Sequence, residues 1–187
     1  MKSFKSIGLM LIAALLFNVS SAQTMKEETV QVGGAPMYPS KNIVENAVNS
    51  KDHTTLVAAV KAAGLVETLQ SAGPFTVFAP TNSAFGMLPA GTIETLVKPE
   101  NKAKLTGILT YHVVAGKLDG DALKAKIKEG NGTAQLTTVA GGKLWVMKKG
   151  NKLMLKDENR GMAEITIKDV YQSNGVIHVI DHVVLPK

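Results

Sequence analysis

The feature that most restricts what this chain can fold into is a change of periodicity at Tyr111. Before it, apolar residues recur at helical spacing: Ile43, Val44, Ala47 and Val48 in one stretch, then Leu56, Val57, Ala59, Val60 and Ala63, stopped by Gly64. After it, apart from a helical pattern over 121–127, the chain runs in short β-branched segments parted by turns, at 135–139, 143–148, 152–156, 164–170 and 176–185. Gly150-Asn151 between two of these runs fits a tight hairpin turn. Helices gathered in one half and strands in the other argue against a βαβ repeat and predict an α+β domain.

The helical half contains further detail. Ser40 is expected to cap the helix through Asn49, and Asp52 or Thr54 the next one. A helical turn is expected over 65–70, a buried strand over 75–79, and a turn of helix after Thr81 or Asn82 that carries Ala84, Phe85 and Leu88. Helical patterns follow over 92–97 and 100–110, and Tyr111 opens an apolar run read as a strand.

A length of 187 residues with no internal linker fits one core. Residues 1–22 differ in kind: Lys2 and Lys5, an apolar run over 7–17 and the small residues Ser20-Ser21-Ala22 read as a cleaved signal peptide. The apolar run is short of the roughly 20 residues that span a bilayer, and the mature chain is expected to carry no transmembrane segment. Residues 23–39, polar and broken by Gly33, Gly34, Pro36 and Pro39, read as a flexible N-terminal arm, with the domain at 40–187. The chain has no cysteine, which excludes disulfides, thiol catalysis and thiolate metal ligands. A net charge of +6 is modest, and with export it argues against nucleic acid as a partner.

Catalytic constellations are missing. There is no Gly-x-Ser-x-Gly elbow, and Gly130-Asn131-Gly132 and Gly141-Gly142 lack the spacing and lysine of a phosphate loop. Of the histidines, His178 and His182 on one strand would point the same way but stand roughly 13 Å apart, too far to share a metal. His112 and His178 lie in apolar runs and are expected to be buried with both nitrogens hydrogen-bonded. No cofactor and no enzymatic activity are expected.

Three segments are more specific: GPFTVFAPTNSAF at 73–85, YHVV at 111–114 and SNGVIHVIDHVVLP at 173–186. Together, in this order and spacing, they resemble the fasciclin domain family. The resemblance implies a wedge or sandwich of about seven strands with helices packed on one side. It also implies adhesion or interaction with an extracellular or envelope protein or polysaccharide. Phe78, Pro80, Thr81, Asn82, Phe85, Asn174, Gly175, His178 and Asp181 fall in its structural motifs, and Tyr111 and His112 match a motif implicated in receptor adhesion. Many relatives carry acidic residues where this chain has Asn82-Ser83.

The hairpin 143–156 places five lysines around the only tryptophan. One reading is a cationic, aromatic contact surface in which Lys148, Lys149 and Lys152 meet an anionic partner. The other is that the lysines protect a sheet edge while Trp145 and Met147 pack inward. A different function, binding of a small apolar or lipid-like ligand between helices and sheet, would require an apolar pocket of several hundred Å³.

Overall fold

A computed structural model describes residues 27–187, so the signal peptide read at 1–22 lies outside the described residues. Among the described residues there are seven α-helices: α1 (Ile43–Ala47), α2 (Thr54–Ala63), α3 (Val66–Gln70), α4 (Asn82–Gly86), α5 (Thr92–Leu96), α6 (Lys102–Tyr111) and α7 (Gly120–Glu129). A two-stranded ribbon, β1 (Val30–Val32) and β2 (Ala35–Met37), precedes them. The main sheet is built from β3 (Phe75–Pro80), β4 (Val113–Ala115), β5 (Thr133–Thr137), β6 (Lys143–Lys149), β7 (Lys152–Lys156), β8 (Met162–Gln172) and β9 (Gly175–Ile180). This is the α+β architecture expected, a seven-stranded sheet with helices packed on one side.

The strand order is β4-β3-β9-β8-β7-β6-β5, antiparallel except for the β3–β9 pair. The two ends of the sheet meet. Val114 bridges to Thr138, and the Val139 amide donates to the Val113 carbonyl at 2.7 Å. Apolar side chains therefore collect in two cores. One lies between α1, α2, α3, α6 and the β3–β9–β8 part of the sheet, around Ile43, Leu56, Val60, Val77 and Ile177. The other lies inside the curl, around Phe78, Tyr111, Leu144, Val146 and Leu155, with Leu123 and Ile127 of α7 covering it.

Three expectations are corrected. The segment read as a flexible arm is folded from Val30 onward. Gly33 and Gly34, both at positive φ, turn the chain between β1 and β2, and Val32 and Met37 sit in the first core. A side chain at Gly33 would collide with Ser50, so glycine is required for the hairpin to dock. Second, α1 is capped by Asn42 and not Ser40. The Asn42 side chain accepts from the Val44 and Glu45 amides and Glu45 reaches back to the Asn42 amide, a reciprocal cap that the Asn-x-x-Glu spacing encodes. Third, Tyr111 and His112 close α6 instead of opening a strand, and β9 stops at Ile180, short of Leu185.

Candidate interaction site on the sheet face

The motif residues act first as connectors between elements. Asn174, in the turn between β8 and β9, accepts from the Ile43 amide at 3.1 Å and donates to the carbonyls of Leu69 and Ser71 at 2.8 and 2.9 Å. One buried side chain thus fixes the start of α1 and the end of α3 against the sheet. Gly175 follows because any side chain there would strike the Phe75 backbone of the neighbouring strand. Pro80 ends β3, and Thr81 caps α4 by accepting from the Ala84 amide. Asn82 works on a different helix: its Oδ1 accepts from the Thr55 amide at 3.0 Å and its Nδ2 donates to the Lys51 carbonyl, supplying α2 with the cap that its own sequence lacks. Phe78 is fully buried against the His178 ring, centroids 5.7 Å apart, and Phe85 lies in the first core. Asp181 Oδ1 accepts from the Glu164 amide at 2.7 Å, fastening the end of β9 to β8.

Tyr111 and His112, the candidate receptor contacts, are buried at 0% and 2% exposure. The Tyr111 hydroxyl donates to the Lys143 carbonyl at 2.6 Å and accepts from the Glu158 amide, and burial pushes its phenol up to about 12. His112 Nε2 accepts from the Val184 amide, which places the ring proton on Nδ1, where it is donated to the Ile108 carbonyl at 2.8 Å. Burial pushes this imidazole down to about 4, so it is neutral. His178 is fixed in the opposite tautomer: Nδ1 accepts from the Asp169 amide and Nε2 donates to the Leu118 carbonyl. Both rings are used up inside the fold, and neither Tyr111 nor His112 presents a polar atom outward. The described residues bring no three histidine or acidic side chains together as a metal site.

The lysines are placed differently. Lys148, Lys149 and Lys152 are exposed around the β6–β7 turn. These strands are interior to the sheet, each paired on both sides, so edge protection does not explain their lysines. The inward side chains of β6 and β7 are Leu144, Val146, Leu153 and Leu155. Trp145 and Met147, which would pack inward on the edge-protection reading, therefore project from the other face, where both are half-buried. On that face Gln135, Trp145, Lys156 and Met162 form one cross-strand row, and Thr133, Met147, Met154 and Glu164 the next. Lys149 and Lys152 close the face at the turn, Lys152 also meeting Glu164 at 2.7 Å, and the Lys156 ammonium lies 5.3 Å from the Trp145 ring centroid. The result is an indole and three thioethers in a frame of cations. Period two in Lys152-Leu-Met-Leu-Lys156 signals this outward phase, but the unbroken apolar run Leu144–Met147 hides it.

Among the described residues one cavity of about 90 Å³ lies beneath α1 and α2, and another of about 260 Å³ lies between α4, α5, α6 and Val183 and Leu185. Both are smaller than the several hundred Å³ usual for sites that engulf a ligand.

A family model for the Fasciclin domain matches residues 51–186. The chain belongs to the fasciclin domain family. It is 48% identical over 160 residues to protein sll1483 of Synechocystis sp., an alignment covering 86% of this chain and 82% of that one. It is 32% identical over 179 residues to the cell surface glycolipoprotein MPB83 of Mycobacterium bovis, covering 93% and 74%. Its fold superposes with a TM-score of 0.69 on a FAS1 domain pair from the insect cell adhesion molecule Fasciclin I, at 16% identity, over 86% of this chain and 58% of that one. Fasciclin domains are thus known in cell adhesion and at cell surfaces, and among the described residues no helix is long and apolar enough to cross a membrane. In this fasciclin domain, the signature blocks are the connectors described above.

Proposed function

We infer that the protein is an exported adhesion or interaction module, without enzymatic activity, that attaches to an anionic protein or polysaccharide outside the membrane. The observation that carries this reading is the outer face of β5–β8, where Trp145, Met147, Met154 and Met162 stand partly exposed inside a border of lysines. Residues of this kind bury little on a lone domain and gain when a partner covers them, while the lysines attract and orient an acidic surface. Membership of a family with a cell-adhesion molecule and a cell-surface glycolipoprotein supports the same reading. Tyr111 and His112 serve it as framework, holding Lys143 and the C-terminal segment in place.

The test is binding of the purified protein to immobilised polygalacturonate and to isolated envelope fractions, at low and high salt. The wild type is expected to bind with an affinity that weakens as exposed charges are screened. A Lys148→Gln, Lys149→Gln, Lys152→Gln variant should keep its stability to within about 1 kcal/mol, since these are surface changes, and lose most of its binding. Equal affinities for the two proteins at both salt concentrations would remove this face from the contact.

A further inference from the structure

Five methionines fall among the described residues, and three of them, Met147, Met154 and Met162, stand on the outer face of β6–β8. Met147 and Met154 are direct cross-strand partners, and Met162 lies opposite Lys156, two positions along β7 from Met154. Met162 is 38% exposed and the other two are half-buried, so small solutes reach the face they form. The remaining two are placed otherwise: Met37 is 2% exposed in the first core, and Met87, at 61%, closes α4.

Each of the three thioethers has lysines beside it. Positions two apart on a strand point the same way, which sets Lys149 next to Met147 and places Lys152 and Lys156 on either side of Met154. Lys156 is also the cross-strand partner of Met162. A thioether is only a weak acceptor and makes little use of such donors; Lys152 meets Glu164 and Lys156 the Trp145 ring instead. Oxidation changes this, because a sulfoxide is polar and its oxygen can accept from an ammonium group. The chain has no cysteine, so methionine is the sulfur on which a mild two-electron oxidant acts.

We propose that Met147, Met154 and Met162 form an oxidation switch that releases the protein from its partner, with hydrogen peroxide as the oxidant. Each sulfur gives an electron pair to one peroxide oxygen and the O–O bond breaks. The other oxygen leaves as hydroxide and takes the proton of the transferred one, so that each thioether and one peroxide yield one sulfoxide and one water. The sulfoxides replace the apolar centre of the face by polar groups and draw Lys149, Lys152 and Lys156 onto themselves. A partner then loses its apolar contact and its cations together. Methionine sulfoxide reductases return the sulfoxides to thioethers, which makes the release reversible. The switch rests on the reading of this face as the attachment surface and adds a control to it.

The test compares the purified protein before and after hydrogen peroxide, by binding to immobilised polygalacturonate and by peptide mass mapping. Oxygen is expected on Met147, Met154 and Met162 and not on Met37, with the fold intact by circular dichroism and attachment weakened about tenfold, the factor one unpaired polar group in a contact supplies. Treatment with both methionine sulfoxide reductases should restore attachment. A Met147→Leu, Met154→Leu, Met162→Leu variant, which keeps apolar bulk, should attach like the wild type and stay attached after peroxide even though Met87 is oxidised. Undiminished attachment of the protein oxidised at all three positions would overturn the switch and leave the attachment reading standing. An equal loss in the leucine variant, a loss that accompanies unfolding, or failure of the reductases to restore binding would overturn it too. Should the leucine variant fail to fold, the oxygen map and the reductase rescue decide. If the untreated protein does not attach, the attachment reading falls and the switch falls with it.

Discussion

Lys149 and Lys152 face each other directly across the β6–β7 ladder, two exposed ammonium groups at one cross-strand position. Like charges so placed are unfavourable, and an opposite pair there contributes about 0.2–1 kcal/mol. Lys149→Glu is therefore expected to raise the urea midpoint slightly while weakening attachment to anionic surfaces. A variant that is both less stable and equally adhesive would show that the pair serves neither purpose.

Asn174→Ala should be among the most damaging single polar changes in the domain. It strips partners from the Ile43 amide and the Leu69 and Ser71 carbonyls in one step. With about 1–3 kcal/mol for each buried group left unpaired and partial relief from water, a loss of about 3 kcal/mol is expected in chemical denaturation. Asn174→Asp, which keeps the acceptor for Ile43 and removes both donors, should fare no better. A loss below about 1 kcal/mol would mean that the three elements hold together without this side chain.

Stability should fall on mild acidification. In the unfolded chain His112 titrates near 6.5, while in the fold burial holds it at about 4. Between those values the unfolded state binds more protons, so stability decreases as pH drops through that window. From pH 7 to pH 5 the His112 contribution is about 2 kcal/mol, at 1.36 kcal/mol per unit. Burial lowers His53 and His178 as well, adding loss of the same sign. Denaturation curves at the two pH values should converge partly in His112→Gln; an unchanged pH slope in that variant would discharge His112 from the effect.

Removing residues 27–39 should destabilise the domain, contrary to what their composition suggests. Val32 and Met37 are 5% and 2% exposed, and losing two such side chains from a packed core costs about 2–5 kcal/mol each in truncation series. Comparing thermal unfolding of proteins that start at Glu27 and at Ser40 gives the answer, and indistinguishable melting would make the hairpin an ornament.

Much of this architecture is legible in the residues because the signals are local. Gly64 stops α2 at positive φ, Gly150 turns β6 into β7, and all seven sheet strands fall on β-branched or alternating runs. What escapes is set by distance. Strands of three residues such as β1 and β2 have no periodicity to detect, and their docking depends on a glycine pressed against Ser50, some 17 positions away. Tyr111 and His112 precede valines and so resemble a strand, yet their backbone finishes α6 because the Tyr111 hydroxyl is anchored to Lys143 and Glu158 beyond it. The outward phase of Trp145 and Met147 is undetermined within β6 and is fixed by its neighbours' register.

An interior strand of the sheet is also the last to be made. β9 lies between β3 and β8, and its parallel pairing with β3 joins Phe75 to Gly175 and Pro80 to Ile180, across about a hundred residues of chain. Until positions 175–180 are available, β3 and β8 have no common neighbour, and Asn174 cannot gather α1 and α3. Long-range pairing of this kind makes assembly late and cooperative instead of stepwise. A chain delivered amino-terminus first, from a ribosome or through a pore, thus joins its helical half to the β5–β8 meander through the interior of one sheet only when residues 175–180 emerge.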